Sequence, residues 1–328
     1  MIPLFRARDV EAAVSPERAV EAVRAGFVAY ARGEWTMPPK VYVPAYPAGD
    51  FRAMPALGAG HALLKWVTSY PDNPARGLPT VTGLVLLSDA SDGRLVAVMD
   101  AGAVTALRTG AAAVLAAETL GRPGSAAVVG AGVNGRAAAR TFASRGQDVL
   151  VWDVDPARAQ AAAEEAGAQV ATSREEALAA DRLVTVTPGN EVLLPQGSLR
   201  PGQHVSLMGA DGPGKAEIAV EELVRSGVFC DDREQGVADG APGRVRVFVD
   251  DWEQASHGGE TAAAVEAGLI TRDEVTELGT VLTGEAPGRE DHADVTLFDS
   301  TGLAIQDLAI ALAAMERAGE LDLHRIDL

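Results

Sequence analysis

The chain has 328 residues and a mass of 33.9 kDa, more than one ordinary hydrophobic core supports, so two domains are expected. Aspartate and glutamate number 46 against 28 lysines and arginines, and the resulting formal charge of −18 argues against nucleic acid or an anionic membrane as partner. The single cysteine, Cys230, rules out an intramolecular disulfide, and the Ala-rich run after Val104 is interrupted by Arg108 and Glu118, which argues against a membrane span. With acids in the N-terminal MIPLFRARDVEAA where a signal peptide needs an apolar core, a soluble cytoplasmic protein is expected.

Ser15-Pro16-Glu17 reads as a helix start, with Val20, Val23, Phe27 and Tyr30 on the buried face and an end near Gly33. From Thr36 to Leu57 the text is Pro-rich and reads as irregular, with strand-like fragments such as Val41-Tyr42-Val43. HALLKWVTSY and TVTGLVLLSD read as strands, and SDASDG supplies a turn before the strand RLVAVMD. An Ala-rich helix follows, broken at Arg108-Thr109-Gly110 and ending near Leu120. GRPGS (121–125) is the expected boundary. Beyond it SAAVVG, DVLVWD, QVATS, DRLVTVTP and HVSLMG alternate as strands with helical stretches, the pattern of a parallel α/β sheet. VFCDDREQ (228–235) recurs as VFVDDWEQ (247–254), so one copy is expected to fill a sheet position and the other to be a surface insertion. The last segment, DSTGLAIQDLAIALAAMERAGEL, reads as an amphipathic helix that returns to the first domain.

Only three residues are lysine: Lys40, Lys65 and Lys215. An amine loses its proton at an accessible pH, whereas guanidinium does not, so each lysine in so arginine-rich a chain invites a chemical reading. MPPK carries Lys40, GDFRAMPA carries Arg52, HALLKW places Lys65 in an apolar strand, and ALRTGAAA places Arg108 in an apolar helix. A buried cation needs an anionic partner, either a structural carboxylate or a ligand. Four such cations in the first domain point jointly to a substrate that bears a carboxylate. The strand AAVVG runs into Gly130-Ala131-Gly132-Val133-Asn134-Gly135 and then a helix, which is the dinucleotide-binding fingerprint in its proper context. Asp153 closes the next strand, 21 residues after Gly132, where a carboxylate accepts hydrogen bonds from a ribose and repels a 2′-phosphate, so NAD is favoured over NADP. Met208-Gly209-Ala210-Asp211-Gly212-Pro213-Gly214-Lys215 follows the strand HVSL, where α/β sheets place ligands; Asp211 could orient a water there or form a local turn. The five histidines show no metal-ligand spacing, and His257-Gly258-Gly259-Glu260 reads as structural.

RTGAAA (108–113), GAGVNG (130–135), GADGPGK (209–215) and DSTGLAIQD (299–307) resemble the ornithine cyclodeaminase and mu-crystallin family over nearly the whole chain. MPPKVYV, GDFRAMPA, LKWVTSYPDNPARGLPTV and EQASHGGE are most similar to the archaeal-type alanine dehydrogenases within it, while the 19-residue repeat departs from the family pattern. The resemblance implies a Rossmann NAD-binding domain (121–296) inserted into an α+β domain (1–120 and 297–328) that binds substrate and forms a homodimer. It implies Lys65 and Arg108 at the substrate carboxylate with Lys40 and Arg52 nearby, and Lys65 and Asp211 as the catalytic pair. Asn134, Asp153 and Ser300 match cofactor positions, beside the fingerprint residues Gly130, Gly132, Val133 and Gly135 and the strand-end residues Met208 and Ala210. The activity expected is NAD-dependent oxidative deamination of L-alanine. The alternative is cyclodeamination of ornithine, disfavoured because Arg52 would repel its second ammonium; a nucleotide-regulated binding protein ranks third.

Overall fold

The computed structural model describes residues 1–189, 191–210, 212, 214–224 and 244–327. They form two compact units, Met1–Arg108 with Leu303–Leu328, and Thr109–Gly302.

The first unit is built on a seven-stranded sheet in the order His324–Ile326, Ile2–Phe5, Leu95–Asp100, Val81–Asp89, His61–Ser69, Gly49–Gly58, Val41–Ala45. All neighbours are antiparallel except Ile2–Phe5 beside Leu95–Asp100. Period-two alternation sends Met54, Lys65 and Val85 to the inner face, where they lie side by side across three strands. The helix Ala304–Glu316 covers that face, with Ala304 to Ala311 all buried, and packs on the helix Pro16–Ala31. The C-terminal helix therefore does return to the first unit. Ser15 Oγ accepts from Arg18 N–H at the start of Pro16–Ala31, as its sequence predicted.

One expectation fails here. Much of the Pro-rich stretch after Thr36 is regular strand, including all ten residues of Gly49–Gly58. Pro55 is tolerated because the side toward which its N–H would point is unpaired: Leu57 bridges to Thr36 and Ala53 pairs with Val41, leaving a gap between.

The second unit carries an eight-stranded sheet, every neighbour parallel, in the order Val275–Glu277, Val245–Val249, Val295–Asp299, His204–Leu207, Arg182–Thr185, Ala126–Val129, Val149–Trp152, Gln169–Val170. This is the Rossmann arrangement expected from the alternating pattern, inserted into the chain of the first unit. The second copy of the repeat supplies Val247–Val249 to the sheet; the first copy and Cys230 lie outside the described residues.

The helix Ala101–Leu120 is continuous through Arg108-Thr109-Gly110, contrary to the expected break. By length and composition it is apolar enough to cross a membrane, also contrary to expectation, but it is a core helix with Ala111 to Ala117 fully buried. Gly110 is there for close packing rather than for a turn: a Cβ would come within 2.7 Å of the backbone carbon of Ala137. Gly110→Ala is expected to lower stability by about 1–3 kcal/mol through overpacking, read as a lower urea midpoint at unchanged slope.

Candidate active site

Lys65 sits mid-strand in His61–Ser69 and is 1% exposed. Its Nζ donates to both oxygens of Asp307, at 2.9 and 3.1 Å. Asp307 lies in the first turn of Ala304–Glu316 and is wholly buried. Arg108 approaches the same carboxylate, with Nε 3.7 Å from Asp307 Oδ1, and its Nη1 donates to Gln306 Oε1 at 3.4 Å. Gln306 Oε1 also accepts from Leu303 N–H at 3.2 Å, which ties this contact to the helix start. Arg108 Nε and Gln306 Nε2 are buried donors with no hydrogen-bond partner among the described residues. Buried polar atoms are rarely left so, and these two lie in one cluster.

Arg52 occupies the neighbouring strand and is held by Asp50, with Nε 2.6 Å from Oδ1 and Nη2 3.3 Å from Oδ2. Its guanidinium carbon lies 5.3 Å from the centre of the Tyr42 ring, to which Arg52 is the cross-strand partner. Burial lowers the Lys65 pKa to about 8; Arg108 and Arg52 push in the same direction, while the charge and hydrogen bonds of Asp307 oppose them. Among the described residues, Asp50 pairs with Arg52, and Asp307 is shared by Lys65 and Arg108. Lys40 is half-buried one residue before the edge strand Val41–Ala45.

The sequence anticipated the cations but not Asp50, Gln306 or Asp307. Asp50 was legible as the residue two before Arg52, hence on the same strand face. Asp307 was legible as the only acid between Gly302 and Met315, an apolar stretch in which a charge needs a reason.

In the second unit, Gly130 closes the Ala126–Val129 strand with φ of 102°, a conformation open to glycine. A Cβ at Gly135 would lie 1.7 Å from Gly130 O, whereas one at Gly132 would meet nothing within 4 Å. The turn is therefore tight inside and open outward, at the N-terminus of the helix Val133–Ser144, where free N–H groups suit a pyrophosphate. Val133 is 70% exposed and Asn134 half-buried on that tip. Asp153 braces the turn by accepting from Ala131 N–H at 2.7 Å with Oδ2, and from Asp155 N–H at 2.9 Å with Oδ1. Asp155, not Asp153, caps the next helix through Ala157 N–H.

Met208 and Ala210 are buried just after the His204–Leu207 strand, and Ser300 just after Val295–Asp299, all at the carboxyl edge of the parallel sheet that Gly130 also occupies. Ser300 Oγ donates to Asp250 Oδ2 at 3.0 Å. Asp211 lies outside the described residues. Glu217 accepts from Thr185, Thr187 and Gly209, and Glu260 accepts from the N–H groups of Glu217 and Ile218, so the EQASHGGE motif contributes a structural acid. Burial, together with Asp299 and Glu217 nearby, raises Glu260 to about 9.

A dinucleotide turn and a buried lysine of displaced basicity, carried on one chain, are the equipment of a nucleotide-dependent enzyme. The alanine dehydrogenase of Archaeoglobus fulgidus is 39% identical over 323 residues, covering 94% of this chain and 93% of its own. An archaeal alanine dehydrogenase dimer with bound NAD matches with a TM-score of 0.88 and 37% identity over 100% of this chain and 99% of its own. The Δ1-pyrroline-2-carboxylate reductase of Thermococcus litoralis, solved with NADH and L-proline, matches with a TM-score of 0.86 and 26% identity over 99% of this chain and 100% of its own. The family described as ornithine cyclodeaminase/mu-crystallin matches residues 4–321, and the chain belongs to it.

The Asp50–Arg52 pair is testable by itself. Asp50→Ala strips the carboxylate from a buried guanidinium and is expected to cost about 3–5 kcal/mol, whereas Asp50→Ala with Arg52→Met should recover much of that loss in a denaturation cycle.

Proposed function

We propose that this protein is a cytoplasmic, NAD-dependent alanine dehydrogenase that converts L-alanine and water to pyruvate and ammonia, reversibly. The observation that carries the reading is the buried Lys65 cluster, in which Lys65 and Arg108 share the one carboxylate of Asp307 and two donors have no partner among the described residues, which suits a carboxylate on a small substrate. Similarity to the Archaeoglobus enzyme supports alanine as that substrate.

Gly130, Gly132, Val133, Asn134, Gly135, Asp153, Met208, Ala210 and Ser300 are assigned to NAD, with Asp153 disfavouring a 2′-phosphate. Bound NAD supplies the acceptor for the hydride of the substrate Cα. Arg108 holds the substrate carboxylate, with Lys40 and Arg52 adding to the positive field. Neutral Lys65 takes a proton from the water that attacks the imine carbon and returns it to the departing nitrogen, and Asp211 positions that water. Lowered basicity is what lets a lysine do this near neutral pH.

Ornithine cyclodeamination keeps one foothold. The sequence argument against it was the charge of Arg52, but Asp50 largely neutralises that charge, so repulsion of a second ammonium is weaker than composition implied. NADH formation decides between them: alanine with NAD should accumulate NADH, and ornithine yielding proline and ammonia without net NADH would overturn the proposal. Because Lys65 must be neutral to accept a proton, kcat/KM for alanine oxidation should climb with pH toward about 8, and the reverse reaction, which needs the protonated form, should fall above it. Lys65→Met should lose about 10²–10⁴-fold in kcat.

A homodimer through the first unit is part of the proposal. Val41, Ala53, Trp66 and Leu84 form one cross-strand row on the outer sheet face, and Trp66 is 41% exposed. Leu57 and Leu64 extend this apolar surface, which is broader than scattered exposed residues account for. Trp66→Glu with Leu84→Glu should halve the mass seen by sedimentation; a monomeric parent protein would refute the assembly.

A further inference from the structure

Asp307 has no part in the chemistry just described, yet it is fully buried and gives both its oxygens to Lys65. Among the described residues, the other charges that bear on Lys65 are positive: Arg108 on the helix Ala101–Leu120, and Arg52 on the strand Gly49–Gly58, the latter held by Asp50. The strand on the other side, Val81–Asp89, presents only Val85 to it. An ammonium so placed, out of water and beside two guanidinium groups, sheds its proton and turns away unless a carboxylate opposes both tendencies.

We propose that Asp307 is the positioning residue for Lys65: it fixes the amine beside Arg108 and keeps it able to carry a proton. Asp307 stands in the first turn of Ala304–Glu316, and its neighbour Gln306 anchors Arg108, so one helix start sets the spacing between the amine and the guanidinium. This inference rests on the reading of Lys65 as the proton carrier.

With only three lysines, the whole protein labelled with 13C at the lysine ε-carbon gives three signals, and the Lys65 signal is the one missing from Lys65→Met. Titrated without substrate, Lys65 in the parent protein should have its midpoint near 8. In Asp307→Asn the midpoint should drop by about 1–3 units, and in Asp307→Glu it should stay nearer the parent value. A midpoint unchanged or raised in Asp307→Asn overturns the proposal. Should that variant not fold, Arg108→Gln decides: with one guanidinium gone and Asp307 in place, the midpoint should rise, and an unchanged or lower one overturns it. The pH profile of kcat/KM should move with the titration, which a loss of mere packing would not produce. Because the titration needs no turnover, a shifted midpoint in a protein that does not oxidise alanine would refute the alanine reading and leave the assignment of Asp307 standing.

Discussion

The ion pair between Lys65 and Asp307 is the constraint around which the first unit is arranged. It joins the middle of a sheet to the first turn of a helix 242 residues further along the chain, both partners out of water. Such a pair adds little net stability when complete and costs several kcal/mol when halved. Its value lies in specificity: the helix Ala304–Glu316 can settle on the sheet in the one position that places Asp307 over Lys65. Arg108 then finds Asp307 and Gln306 waiting, and the start of Ala304–Glu316 becomes the wall of a charged, largely dry site.

The second unit uses buried carboxylates differently. Asp153 accepts from the glycine turn, Asp250 from Ser300, Thr301 and Gly302, and Glu217 from the segments after two neighbouring strands. The loops at the carboxyl edge of the sheet are therefore built on side-chain acceptors, since they lack ladder partners of their own. Burial also resists ionisation of some acids in this unit. It raises Asp299 to about 7 and Glu260 to about 9, and raises Glu217 above its ordinary value. A neutral Glu260 removes from this edge some of the negative charge that so acidic a sequence would place there.

Much of this was legible in the residues. Gly130, Gly132 and Gly135 carry their spacing, and alternating strands and helices announce a parallel sheet; both depend on local periodicity, which one sequence contains. An apolar strand holding Lys65 announced a counter-ion without identifying it, because pairing across 242 residues leaves no local trace. The strand Gly49–Gly58 was obscured by proline, whose cost depends on which side of the strand is unpaired. The unbroken helix at Gly110 was obscured by glycine, whose usual reading as a breaker yields to close packing on Ala137. The sequence called for an anionic partner to Lys65 and Arg108, either a structural carboxylate or a ligand; Asp307 is one such partner, and Asp50 serves Arg52.

Lys65 faces inward and Trp66, the next residue, faces outward. Deleting one residue anywhere between His61 and Lys65 would exchange them, turning the amine to solvent and driving an indole into the space over Asp307. The buried amine and the outer apolar surface are thus tied to the register of a single nine-residue strand, and neither can drift without the other.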